Sequence, residues 1–222
     1  NRNMPKAMIE PLVTLEEKVD PQRAVILVID VVNSCMHPEG TTARLGLPIR
    51  AAQEMVPRLV KFLEEADKYK VRKVFIHGAC NIWKLNTAEV PLIKAETVNI
   101  SFSIEEMIND PWEQEFYLVK TQPDDLVIEK WRFDAFVGTP LDMALKAVGA
   151  RSVLLTGVGT GGCVESTQKQ AFSLGYHTVI VENCCQGMAT SHEAAVRRMS
   201  RHGTVVSYEE VAKTWEKMTR EK

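Results

Sequence analysis

Residues 24 to 29 read Ala-Val-Ile-Leu-Val-Ile, six apolar side chains in unbroken succession, and the run ends at a carboxylate, Asp30. Strand side chains alternate between two faces, so a run with no polar member demands burial on both. A parallel sheet covered by helices meets that demand. Lys73 to His77 (KVFIH), Leu126 to Ile128, Ser152 to Thr156 (SVLLT) and His177 to Val181 (HTVIV) are further short strand candidates. Amphipathic segments lie between them. Residues 49 to 69 place Met55, Leu59, Phe62, Leu63 and Ala66 near helical spacing, with charges between. Thr139-Pro140 opens a helix that Gly149 closes, with Thr as N-cap and Pro first in the helix. Cys163 to Leu174 reads as a helix stopped by Gly175. Thr190 with Glu193, and Ser207 with Glu210, form capping boxes for two more. This alternation predicts an α/β fold, a three-layer α/β/α arrangement around a mostly parallel sheet.

A chain of 222 residues suits one domain over 1–222, with 1–21 as an N-terminal extension and 207–222 as a C-terminal helix. That last helix packs either on a partner subunit or on its own domain. With 27 basic and 29 acidic residues the formal charge is −2, which argues against a nucleic-acid partner. No apolar run reaches 18 residues, so no membrane-spanning helix is expected. Residues 1–20 carry neither the basic flank nor the apolar stretch of a signal peptide. Cys35, Cys80, Cys163, Cys184 and Cys185 contain no C-x-x-C pair, and reduced thiols in a cytoplasmic protein are expected. One interruption, Gly78 to Asp125, has no strong period; it is either a lid or oligomer contact, or an unrecognised strand and helix.

Ligands of parallel sheets bind beyond the carboxyl ends of the strands. Those ends carry Asp30, His77, Lys130 and, after a glycine-rich turn (Gly157-Val-Gly-Thr-Gly-Gly162), Cys163. At a helix start the unpaired N–H groups and the dipole favour a thiolate, lowering the cysteine pKa, and the same N–H groups suit an oxyanion. Two readings of Cys163 stand here: a nucleophile, or a small packing cysteine after a flexible turn. Asp30 is either a general base for that thiol or the cap of a neighbouring helix. Lys130 either sits between the two, holding both in their charged forms, or is a solvated surface lysine.

Asp125-Leu-Val-Ile-Glu-Lys130, Phe136-Val-Gly-Thr-Pro-Leu141 and Gly157-Val-Gly-Thr-Gly-Gly-Cys-Val164, with the strand ending at Asp30, resemble the isochorismatase-like cysteine hydrolases over about residues 22 to 206. The resemblance implies that family's Rossmann-like fold and a catalytic triad of Asp30, Lys130 and Cys163. It also implies a cis Val158-Gly159 peptide, with Gly159 and Cys163 forming the oxyanion hole. Members hydrolyse amides, ureides or nicotinamide through a thioester, and a minority cleave a vinyl ether without a cysteine. The presence of Cys163 favours the amidohydrolase branch, and the family implies a homodimer or homotetramer.

Departures refine the expectation. Nicotinamidase-like members carry an Asp-x-His metal motif after the second strand, where this chain reads His77-Gly-Ala-Cys80-Asn81, so neither a metal nor another cofactor is expected. His77 is then a supporting or core histidine. The usual Gln two residues after the Asp is Val32, and Asn33 beside it joins the substrate-binding candidates. Cys163-Val-Glu-Ser-Thr167 and Gln186 resemble members acting on ureido substrates, among them ureidoacrylate and biuret amidohydrolases. A glutamine reads a carbamoyl carbonyl and amine together, though Gln186 is equally a polar loop residue. Trp131 and Arg132 suit a planar or acidic substrate end, or Arg132 pairs with Asp134. The expected function is metal-independent cysteine amidohydrolysis of a small linear amide or ureide. The rivals are a nicotinamidase-type ring amidase and a catalytically silent binding module.

Overall fold

The computed structural model of the protein describes residues 10–44, 46–78, 110–187 and 192–220. Strands β1 (Ala24–Ile29), β2 (Arg72–Gly78), β3 (Leu126–Lys130), β4 (Ser152–Val158), β5 (His177–Gln186) and β6 (Thr204–Val206) form one sheet in the order β3-β2-β1-β4-β5-β6. Every pairing between them is parallel. Among the described residues the helices are α1 (Leu15–Lys18), α2 (Asn33–Met36), α3 (Thr41–Arg44), α4 (Arg50–Lys68), α5 (Leu141–Ala147), α6 (Glu165–Ser173), α7 (His192–Met199) and α8 (Tyr208–Arg220).

All six residues of β1 are buried, and their alternation explains the unbroken apolar run. Ala24, Ile26 and Val28 point into one cluster with Met55, Leu59 and Phe62 of α4 and Trp215 of α8. Val25, Leu27 and Ile29 point into the other, with Leu141 and Leu145 of α5 and Ala171 of α6. Each such burial is worth about 2 kcal/mol before the entropic cost of ordering the chain. The two clusters define the layers, and β1 carries its carboxyl end, with Asp30, to the middle of the sheet edge.

The C-terminal helix packs on its own chain. Trp215 stacks on Phe62 at 5.6 Å and its indole N–H donates to the Val19 carbonyl at 2.6 Å. Its predicted capping box is present: the Ser207 N–H donates to Glu210 Oε2 at 2.7 Å, and the Glu210 N–H to Ser207 Oγ at 3.3 Å.

Three expectations need correction. Strand β6 went unrecognised because three residues are too short to show a period. The fifth strand runs on to Gln186 through Glu182 and Asn183, whose polar side chains hid its continuation. In that extension Cys184 and Cys185 face opposite layers as free, buried thiols. The helix expected from Cys163 begins instead as a π-helical turn, Thr160–Val164, that passes into α6. A smaller shift affects α5, where Pro140 is the cap and the Thr139 hydroxyl accepts from the Leu141 N–H at 3.2 Å. Thr190, Cys80, Asn81 and residues 79–109 of the long connection lie outside the described residues.

Candidate active site

Asp30 is the first residue beyond β1. Its backbone turns sharply, with φ of 53°, while its N–H still donates to the Ile76 carbonyl of β2 at 2.9 Å. The turn needs a close approach by β4: a Cβ on Gly157, itself at φ of +109°, would lie 2.0 Å from the Ile29 carbonyl oxygen. Only glycine fits there. Lys130 ends β3, two strands away and therefore about 10 Å off along the sheet edge. The lysine stem, the Asp30 side chain and the contact between them span that distance together. Its Nζ lies 2.9 Å from Asp30 Oδ2 and donates to Cys163 Sγ at 3.4 Å. Lys130 and Asp30 are buried and Cys163 is half-buried.

Burial works against the Lys130 charge, but the Asp30 carboxylate and the Cys163 sulfur together outweigh it and hold the ammonium above the ordinary lysine range. Cys163 shifts opposite to the expectation from a helix start. Burial, then the neighbouring Asp30 charge, push its thiol well up, and Lys130 only partly opposes them. The sulfur belongs to the π turn and lies beside the Asp30 carboxylate and the Lys130 ammonium, and these surroundings arise only in the assembled sheet. Cys35 of α2 feels the same surroundings: burial, then Asp30, push it up to about 12.

The Cys163 turn follows directly from β4. The Val158-Gly159 peptide is cis, and the Gly159 carbonyl accepts from the Gly162 N–H at 2.9 Å and the Val164 N–H at 3.3 Å. Gln186 ends β5 in register with Val158, which brings it beside this turn. The other three substrate-binding candidates are placed differently. Asn33 is buried and its Nδ2 donates to the Trp112 carbonyl at 3.0 Å, tying α2 to the chain before β3. Trp131 follows Lys130 and is 42% exposed, while Arg132 donates from Nη1 to the Trp131 carbonyl at 3.3 Å. His77 is half-buried, with Nδ1 2.8 Å from the Gly78 carbonyl and its ring edge-on to Phe116.

A strap missed in the sequence closes the Asp30 side. A 3₁₀ turn, Pro111–Gln114, leads into residues that run antiparallel to the chain after Asp30. There Val32 bridges Phe116, the Asn33 N–H donates to the Glu115 carbonyl and the Tyr117 N–H to the Val31 carbonyl, both at 2.9 Å. Glu113 fastens the strap. It is 1% exposed and accepts from the Thr41 N–H at 3.1 Å, the Thr41 hydroxyl at 3.0 Å and the Arg44 guanidinium at 2.7 Å. A local signal existed in Asp110-Pro111, whose carboxylate caps the Trp112 N–H.

The family model for the isochorismatase domain matches residues 24–210. The chain belongs to the isochorismatase family. It is 27% identical over 179 residues to ureidoacrylate amidohydrolase RutB of Caulobacter segnis, covering 74% of this chain and 73% of that protein. Among solved structures, a cysteine hydrolase from Pseudomonas syringae pv. phaseolicola 1448A has the same fold, with a TM-score of 0.76 at 18% identity over 95% of this chain and 99% of that one. N-carbamoylsarcosine amidase from Thermoplasma acidophilum aligns with a TM-score of 0.66 at 22% identity over 84% and 96% of the two chains. Among the described residues, this family member has no group of three His, Cys, Asp or Glu arranged to hold a metal ion, and no helix long and apolar enough to cross a membrane.

Proposed function

We propose that the protein is a metal-independent cysteine amidohydrolase that cleaves a C–N bond of a small linear amide or ureido substrate through a thioester. The observation that carries this reading is the placement of Lys130 Nζ, 2.9 Å from Asp30 and 3.4 Å from Cys163, at the carboxyl edge of the sheet. With the thiol protonated, the trio holds one negative and one positive charge. Moving the thiol proton to Asp30 leaves that sum unchanged, so the nucleophile forms without adding net charge to a buried site.

The sulfur then attacks the substrate carbonyl carbon, and the electron pair that moves to oxygen is held by the N–H groups of Gly159 and Cys163. Collapse breaks the C–N bond while Asp30 gives its proton to the departing nitrogen, leaving an acyl or carbamoyl thioester. Water loses a proton to Asp30 and attacks the thioester. The C–S bond breaks, and the proton returns to Cys163. Lys130 stays charged throughout and keeps Asp30 ionised between steps.

Similarity to a ureidoacrylate amidohydrolase and the position of Gln186 beside the Cys163 turn support the ureido class. A glutamine amide both donates and accepts, which matches a carbamoyl group. The unpaired thiols of Cys35, Cys163, Cys184 and Cys185 support a reducing, cytoplasmic setting. The test is ammonia release by the wild type and Cys163→Ala from ureides, carbamoyl amino acids, linear amides and nicotinamide, in chelator. Release from ureides that disappears with Cys163 is expected. Release that persists in Cys163→Ala, or that requires added metal, overturns the proposal.

A further inference from the structure

The π turn that carries Cys163 is gripped from outside by one helix. Thr160, fully buried at the start of the turn, shares a 2.9 Å hydrogen bond between its hydroxyl and Nδ1 of His192, the first residue of α7. Glu165, at the other end, is 4% exposed and receives Arg198 of the same helix as a fork, Nη2 to Oε2 at 2.6 Å and Nε to Oε1 at 3.0 Å. A third tie follows, from Gln168 Nε2 to the Met199 carbonyl at 3.3 Å. His192 and Arg198 are six residues apart, about 9 Å along a helix, and their partners bracket Cys163.

We propose that His192 is a positioning residue for the nucleophile turn, acting through Thr160 and together with the Arg198–Glu165 pair. It touches no reacting atom. Thr160 adjoins Gly159, so the hydroxyl's anchor fixes the backbone that presents the Gly159 N–H, while Glu165 fixes the chain two residues past the sulfur. Burial holds His192 below the ordinary imidazole range, against the opposing pull of Glu193 and Glu182. The neutral ring has one bare nitrogen and one N–H, and a hydroxyl can pair with either. The proposal rests on the cysteine reading only for its catalytic consequence; the clamp itself is measurable without a substrate.

The experiment uses the full chain with His192→Phe, His192→Asn and Thr160→Val. Hydrogen–deuterium exchange is read on peptides spanning 157–168, with peptides from β1 as the internal reference. His192→Phe and Thr160→Val should speed exchange across the turn about tenfold, the size expected from losing one hydrogen bond, with β1 unchanged. His192→Asn, whose amide reaches where Nδ1 stood, should restore most of the protection. On any ureide that the wild type hydrolyses, kcat should fall with the exchange data while KM stays within twofold. Equal protection in His192→Phe and wild type, or failure of Asn to do better than Phe, overturns the proposal. If all variants unfold, Arg198→Lys, which keeps the charge but loses the fork, should loosen the same peptides, and an unchanged turn there overturns it too. Activity retained by Cys163→Ala sinks the functional reading and leaves the exchange result to judge the clamp alone.

Discussion

The two walls of the site are built in different ways. The Cys163 wall is one continuous stretch, β4, the cis peptide, the π turn and α6, so Cys163 is placed by chain that adjoins it. The Asp30 wall is Asp30 and the residues after it, held by a strap, residues 112–117, from far along the chain and by a lysine from the edge strand. Local construction makes the first wall readable and self-supporting. The second depends on distant parts arriving together, and its weak points lie away from Asp30, Lys130 and Cys163.

Lys130→Met should have the largest effect, because Lys130 reaches both Asp30 and Cys163. It removes the partner of a buried carboxylate, a change that costs about 3–5 kcal/mol in comparable pairs. Activity should fall by about 10³-fold or more, since neither charged state of the trio is then balanced. Urea unfolding and ureide hydrolysis measure the two effects; a fully stable, active variant would break the comparison at its centre.

Gly157→Ala strikes where β4 meets the Asp30 wall. Its Cβ would overlap the Ile29 carbonyl oxygen at 2.0 Å in a backbone conformation that disfavours side chains. Overpacking and strain together should cost about 3 kcal/mol in the same unfolding measurement. A neutral result would mean that the approach of β4 to Asp30 is loose.

Cys163 labelling tests the resting charge state. Burial and the Asp30 charge push the thiol up, so a thiolate fraction below that of free cysteine is expected near neutral pH. Iodoacetamide should therefore label Cys163 at least about tenfold more slowly than free cysteine at pH 7. The rate should still be climbing above the ordinary cysteine range. Fast labelling that levels off below pH 7 would indicate a resting thiolate.

Glu113→Gln should have the smallest effect. Gln cannot accept the Arg44 pair as a carboxylate does, so a loss of about 1–3 kcal/mol is expected, seen as a lower Tm. Activity should fall severalfold, while hydrogen exchange across 157–168 stays as in wild type. Loosening of both walls by this one change would show that they are not independently built.

The legible parts of the molecule were those with local signals. The β1 run, the spacing of Met55, Leu59 and Phe62, and the Ser207–Glu210 box each announce themselves within one element, and the structure contains them all. Asp30, Lys130 and Cys163 were candidates because a parallel sheet brings its strand ends to one edge, and the family resemblance singled out those three among the strand-end residues. The supports were hidden because their partners are remote: Glu113 is 72 residues from Thr41, and Thr160 is 32 from His192. No periodicity encodes such pairs. The Cys163 thiol was misjudged for a related reason. The helix start was visible in the sequence, whereas the burial and the carboxylate that override it arise only when the strands assemble.

The central claim is that Cys163 carries the acyl or carbamoyl group, and the most direct measurement is peptide mapping of protein acid-quenched during reaction with the ureide and linear-amide panel. The account predicts an added acyl or carbamoyl mass on the peptide containing Cys163, absent in Cys163→Ala. Turnover that proceeds with Cys163 never modified would contradict it.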